Sequence, residues 1–382
     1  METATARDVN YTINSTVLYL SFELSNNKWK LGFTIGLGQK PRERVVDARD
    51  LPRVFEEISA AKQRFKLPEA TKVVSCYEAG RDGFWLHRAL VAAGVESLVV
   101  DSSSIEVNRR ARRAKTDRLD LGKLVTMLIR YHSGETKVWS VVQVPEVKDE
   151  DQRQLHRELA DLKTERTRET NRIKGLLIGQ GIGLTTRGQA KIDLDAVRLW
   201  DQSPLPEGIR GRIQRAQERV EFLSRQIREL ETQRDQELEN LTCVGTKRVR
   251  QLMVLKGIGP VTAWVLVMEF FGWRRFRNRR QVGALSGLAP SPYQSGDSAR
   301  EQGISKSGNR RVRARAIEMA WLWVRYQPGS ALSRWFQKRF GAGGSRQRRI
   351  GIVALARKLL VGLWRYVETG AVPDGAKQKV PC

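Results

Sequence analysis

The chain has 382 residues, more than one ordinary domain, and is 40% apolar with ten Trp and eleven Phe, enough to build cores and to exclude wholesale disorder. Lys and Arg number 68 against 42 Asp and Glu, a net charge of +26, and a chain this basic usually meets a polyanion, most often nucleic acid. No apolar run spans a bilayer (Ile258–Phe271 is too short), Met1-Glu2-Thr3 opens no signal region, and Cys76, Cys243 and Cys382 lie too far apart for a disulfide framework or a zinc site.

In chain order, Thr16–Leu24 reads as a strand, Ser25-Asn26-Asn27 as a hairpin connection and Lys28–Ile35 as a second strand. Glu43–Asp47 predicts a third strand, Leu51–Arg64 a helix, Lys72–Tyr77 a strand, Phe84–Ala93 a helix, Ser97–Val100 a buried strand and Asp117–Tyr131 a helix. That order predicts an α/β domain over residues 1–145, opening on an antiparallel meander in the ribonuclease-H-like order. Cys76, inside a strand, is expected to be an inert core thiol. In residues 146–242, Ile209, Ile213, Ala216, Val220, Leu223, Ile227 and Leu230 repeat at spacings of four and three, a heptad seam. A weaker version runs through Leu155, Leu159, Leu162, Ile173 and Leu176. The segment is read as a helical coiled coil, either an antiparallel pair within the chain or a pairing between protomers.

Residues 243–382 predict a mainly α-helical third unit. Met253–Pro260 resembles a helix-hairpin-helix turn, in which Lys256, Gly257 and Gly259 bring backbone amides to a phosphate. The alternative is a tight turn between two core helices. From Arg274 to Lys358 there are 20 Lys and Arg against three acids, a local +17, with Arg274 and Arg275 at its start. A second basic knot is Arg109, Arg110, Arg112, Arg113 and Lys115; both are read as phosphate contacts rather than solvated faces. Trp321, Trp323 and Trp335, at helical spacings, are expected in the core.

The acids carry the chemistry. Glu23 and Glu78 each end an apolar strand, and Asp117 and Asp120, three apart at the head of a helix, share a face. Taken singly, each is a cap or a surface ion pair. Together, beside a basic knot, they read as oxygen ligands converging at the C-terminal side of one sheet to bind Mg²⁺, with two ions roughly 4 Å apart stabilising the attacking and leaving oxygens of a phosphoryl transfer.

Ser21-Phe-Glu23-Leu, Tyr77-Glu78-Ala-Gly80 and Lys115-Thr116-Asp117-Arg-Leu-Asp120 resemble the three acidic motifs of the DEDD-type insertion-sequence transposases, relatives of the Piv DNA invertase and known as RNA-guided bridge recombinases. Lys256-Gly257-Ile-Gly259-Pro260, Gly287-Leu-Ala-Pro290 with Gln294-Ser295-Gly296, and Gly303-Ile-Ser305-Lys306-x-Gly308-Asn309 come in the order of that family. One departure is Glu23, where the family has Asp. The resemblance implies a ribonuclease-H-like (RuvC-like) domain, a coiled coil and a C-terminal transposase domain whose nucleophile is Ser295. It also implies target and donor DNA, a noncoding guide RNA, a dimeric or tetrameric synapse, and a place in the bacterial cytoplasm at the nucleoid. From the residues alone, Ser295 is a turn residue in Gln-Ser-Gly-Asp. As a nucleophile it would form a phosphoserine link, with Gly296 admitting the phosphate and Arg300, Lys306, Arg310 and Arg311 offsetting its charge. His87, His132 and His156 all lie outside this stretch, which argues against a Ser-His-Asp triad. The rival functions are a metal-dependent, junction-resolvase-like nuclease and a nucleic-acid-binding protein without catalysis.

Overall fold

The computed structural model describes residues 16–105, 117–183, 192–240, 243–295 and 298–379. The chain divides into two compact units, Met1–Val144 and Pro145–Cys382.

Among the described residues of the first unit, five strands form one sheet: β1 (Leu18–Leu24), β2 (Lys28–Thr34), β3 (Arg42–Asp47), β4 (Val73–Glu78) and β5 (Glu96–Val100). The order is β3-β2-β1-β4-β5, with β1, β2 and β3 antiparallel and β4 and β5 parallel to β1. β1 is central, and its alternation serves two layers. Leu18, Leu20 and Phe22 join Trp29, Leu31 and Phe33 on one face, under Val54 and Ile58 of α1 (Leu51–Arg64) and Leu86 and Leu90 of α2 (Trp85–Ala92). Asp50 starts α1 by accepting from the Arg53 amide, with Pro52 set in the first turn. On the opposite face Tyr19, Val74 and Cys76 meet Leu124, Val125 and Leu128 of α3 (Asp117–His132). Burial pushes the Cys76 thiol far up, so it stays protonated inside the core.

The second unit opens with α4 (Val147–Asp151), α5 (Gln154–Ile178) and α6 (Glu207–Asn240). α5 and α6 run antiparallel. Lys163 pairs with Glu231 at 2.5 Å, Glu169 pairs with Arg219 at 2.9 Å, and Ile173 and Leu177 share a cluster with Ile213, Ala216 and Val220. The seam is therefore used within the chain, as the intramolecular alternative expects. Next come α7 (Val244–Met253), α8 (Pro260–Leu266), a π-helical turn (Val267–Phe271) and α9 (Arg279–Leu285). A hairpin of β6 (Pro290–Ser295) and β7 (Ser298–Ile304) leads to α10 (Arg310–Tyr326), α11 (Ala331–Phe340) and α12 (Ser345–Thr369). The core is the junction of α7, α8, α10 and α12, where Trp264, Phe270, Trp323, Phe336, Leu355 and Leu359 are 0–1% exposed.

Candidate functional site

Two of the acids stand side by side. The last register pair between β1 and β4 is Phe22↔Tyr77, so Glu23 and Glu78 are the next residues on neighbouring parallel strands. Both belong to the face that α3 covers, by alternation from Tyr19 and from Cys76. Helix α3 runs against the strand direction. The Ser21 hydroxyl donates to the Leu121 carbonyl at 3.2 Å, the Cys76 thiol lies 3.9 Å from the Leu124 carbonyl, and Tyr19 Oη lies 3.0 Å from His132 Nδ1 at the far end. The first turn of α3, holding Asp117 and Asp120, accordingly lies at the end of the sheet where Glu23 and Glu78 stand. The side chains of those two aspartates lie outside the described residues, as does the basic knot Arg109–Lys115. Among the described residues no three Asp, Glu, His or Cys side chains gather closely enough to hold a metal. Of the four predicted acids, Glu23 and Glu78 are the two whose side chains belong to the described residues.

The second unit puts Ser295 at the tip of a hairpin. Ser295 is the last residue of β6 and pairs with Ser298 of β7; Gly296 lies outside the described residues, and so do the side chains of Ser295 and Arg300. The foot of the hairpin is locked by backbone bonds. Ser305 N–H donates to Ala289, Lys306 N–H to Gly287 and Asn309 N–H to Leu285, at 2.8, 3.2 and 2.8 Å. Two glycines of the sequence motifs make this possible. Gly287 has φ +70° and a Cβ there would fall 2.1 Å from the Ser307 carbonyl; Gly308 has φ +86° and its Cβ would fall 2.3 Å from the Leu285 carbonyl. Lys306 also has positive φ, its carbonyl accepts from Arg313 at 2.8 Å, and its side chain is exposed.

Asn309 ties the foot to the interior. Its Oδ1 accepts from the Arg311 and Val312 amides and so starts α10, while its Nδ2 donates to Glu269 Oε2 at 2.9 Å. Glu269 sits in the π-helical turn and is 1% exposed. Arg157 of α5 grips it with two bonds, 2.7 and 3.0 Å, and His156 Nε2 lies 2.9 Å from Oε1. Burial alone would raise the Glu269 pKa, but the bonds from His156, Arg157 and Asn309 and the Arg157 charge outweigh it and hold the carboxyl far below the usual range. Glu269 is thus a buried anion joining α5, the π turn and α10. Sequence reading passed over it, although a lone acid inside the apolar run Val261–Phe271 is the signal that could have found it. It also set His156 apart from this region, whereas the fold brings that ring to the root of α10.

The other sequence-predicted contacts sit in varied surroundings. Lys256 N–H donates to the Lys377 carbonyl, its own carbonyl accepts from Gln327, and Gly257 backs onto Leu322 and Tyr326, so this turn packs against α10 and the C-terminal segment. Gly259 begins α8. The Arg274 guanidinium lies 4.2 Å over the Trp273 ring, and Arg275 is exposed. Arg310 and Arg311 open α10, with Arg311 3.9 Å from Asp161. Trp323 is in the core, but Trp321 is 41% exposed. The two are spaced by two residues, which puts them about 200° apart around a helix, so both cannot face inward. Trp335 is half-buried beneath Lys358.

A model of the transposase IS116/IS110/IS902 family matches residues 249–335, the stretch holding the Lys256 turn, Glu269, the hairpin and the Asn309 cap. Over almost its whole length the chain resembles y4rJ of Sinorhizobium fredii, which is named as a transposase. The two are 41% identical over 97% of this chain and 96% of that protein. The chain belongs to the IS116/IS110/IS902 transposase family. The transposase is also 31% identical to a family 20 transposase of Pseudomonas aeruginosa, over 55% of this chain and 61% of that one. It is 28% identical to the transposase for insertion sequence element IS1328 of Yersinia enterocolitica, over 57% and 63%. No helix among the transposase's described residues is long and apolar enough to cross a membrane.

Proposed function

We propose that this insertion-sequence transposase cuts and rejoins DNA by phosphoryl transfer, with Glu23, Glu78, Asp117 and Asp120 as metal ligands and Ser295 as nucleophile. The observation that carries this reading is the meeting of both strand-end glutamates and the first turn of α3 at one end of the sheet. The strand order β3-β2-β1-β4-β5 supports a ribonuclease-H-like (RuvC-like) domain. Four carboxylates suit Mg²⁺, which when bound would neutralise charge on the reacting phosphate. Glu23 carries its carboxylate about one methylene further from the backbone than the family's Asp.

Ser295 Oγ attacks phosphorus, forming an O–P bond while the bond to the departing sugar oxygen breaks. The serine proton passes to solvent and the sugar oxygen gains one. The phosphoserine link keeps the energy of the broken bond, so a sugar hydroxyl of the new partner strand can displace the serine and reseal DNA without ATP. Lys306, Arg310, Arg311 and Arg300 offset the charge that builds on the phosphate oxygens. The start of α10 supports an anion there. Its first turn holds no acid but opens Arg310-Arg311, cations at the positive end of a helix dipole, an arrangement a phosphate would relieve. The same reading takes target and donor DNA as substrates, a noncoding guide RNA as the partner that selects them, a dimer or tetramer as the synapse, and the bacterial cytoplasm at the nucleoid as the setting.

The test is a covalent protein–DNA species on plasmids bearing the element ends. Wild-type protein gives an adduct that survives denaturation, and Ser295→Ala loses both adduct and recombination while still binding DNA. Strand breakage by the wild type with no adduct at any time would replace this mechanism with the nuclease reading.

A further inference from the structure

Beside the root of the hairpin lies a cleft of about 750 Å³ between α9, α11, α12 and the segment 371–374. Its charge is one-sided. Arg279 and Arg280 reach it from α9, and Arg357, Lys358 and Arg365 from α12, against the single acid Asp374. None of the five cations makes an ion pair among the described residues. Two are held by packing. The Arg357 methylenes lie against Gly283, where a Cβ would come within 3.4 Å, and the Lys358 ammonium sits 4.7 Å over the Trp335 ring. Between them the walls are apolar, with Leu332, Val361 and Pro373 among the lining. Gathering five cations around one cleft costs repulsion that a bound polyanion removes, and apolar walls suit the sugar edges between its phosphates.

We propose that this cleft binds the phosphate backbone of DNA next to the strand that Ser295 attacks. The dimensions suit a strand rather than a lone anion. Lys358 and Arg365 are seven residues apart on α12, about 10 Å along its axis, which is roughly the length of three phosphates of one strand of a duplex. Pro290 lines the cleft and is also the first residue of β6, whose five further steps reach Ser295 within about 17 Å. DNA seated here therefore lies some five nucleotides from the hairpin tip, and this position favours DNA over a guide RNA as the occupant. The proposal rests on the transposase reading and adds to it the surface that holds the substrate beside the hairpin.

The test compares two variants of the full chain with the wild type, using a short labelled mixed-sequence DNA duplex and an RNA duplex of the same sequence across a salt series. Arg357→Gln with Arg365→Gln removes two charges. It should flatten the log–log salt slope on DNA by about 1.8, two contacts at roughly 0.9 each. Gly362→Trp fills the cleft without changing charge, since Gly362 lines it and the nearest atom to an added Cβ is Pro373 Cγ at 3.9 Å. It should weaken DNA binding about tenfold or more with an unchanged unfolding midpoint, the loss expected when several phosphate contacts are blocked. Variants that bind DNA with wild-type affinity and slope would overturn the cleft, and so would a loss confined to RNA. Either result with the Ser295 adduct intact leaves the proposed mechanism standing. Loss of the adduct in Ser295→Ala together with an effect of both cleft variants supports both. A wild type that never forms an adduct, yet loses DNA binding in the cleft variants, overturns the serine mechanism alone.

Discussion

Glu269 holds a full charge where it meets almost no water, and it stays ionised only because of the groups around it. Replacing it with Gln keeps the shape but leaves the Arg157 charge facing a neutral amide. Breaking a buried pair from one side costs about 3–5 kcal/mol, and since Arg157 is 33% exposed and recovers some hydration, we expect about 2–4 kcal/mol by chemical unfolding. Its pH dependence has a definite sign. The folded carboxyl titrates below its unfolded value, so its stabilisation is fully present above the usual Glu range and is lost as pH falls through the depressed value. Unfolding free energy of the wild type should therefore drop on acidification more than that of Glu269→Gln, and parallel curves would remove Glu269 from the account. Neither α5 partner of Glu269 was legible in the sequence. His156 and Arg157 lie more than a hundred residues upstream, and no periodicity records which helix face meets which acid. The strand-end glutamates were legible because a charge closing an apolar strand violates a local pattern.

At the scale of elements, the sheet and the hairpin were legible to different degrees for a physical reason. β1 and β4 are buried on both faces and read as mostly apolar runs closed by a glutamate, and their predicted limits fall within two residues of those observed. β6 and β7 escaped notice, because Pro-Ser-Pro-Tyr-Gln-Ser and Ser-Ala-Arg-Glu-Gln-Gly-Ile show neither alternation nor β-branched residues before Ile304. Their pairing continues into the backbone bonds at the foot, which the left-handed turns and close approach at Gly287 and Gly308 allow. Gly287→Ala and Gly308→Ala should each destabilise the second unit by at least about 2 kcal/mol, since each adds a left-handed backbone penalty to a clash with a carbonyl. Gly303 shares the positive φ but has nothing within 4 Å of an added Cβ, so Gly303→Asn should unfold within about 1 kcal/mol of wild type. Equal losses at all three positions would mean that backbone conformation alone, and not the close approach, sets the foot. The heptad seam of α6 was legible as well, but a seam does not name its partner. That was settled by Lys163–Glu231 and Glu169–Arg219, which fix α5 beside it.

Over the whole molecule, charge is divided unequally. Residues 1–144 carry 23 Lys and Arg against 17 Asp and Glu, a net of +6, so +20 of the total +26 belongs to Pro145–Cys382. Under the proposed function the sheet of carboxylates needs no such excess, whereas a unit gripping a nucleic-acid backbone would. DNA affinity should fall steeply with salt, each neutralised phosphate contributing about −0.9 to the log–log slope, and a slope near zero would sink the polyanion reading.

Because β6 pairs with β7 out to Ser295↔Ser298, the number of residues from root to tip is itself constrained. Beyond the irregularity between Pro290 and Pro292 the ladder is regular, and neighbouring positions of a regular ribbon point to opposite sides, so losing or gaining one residue there turns over every later position, and a change of two shifts the tip by about 7 Å. Such a segment can drift in spelling but hardly in length. Copies of this mobile element that have diverged for long periods should differ here by substitution alone, and carry their insertions and deletions elsewhere.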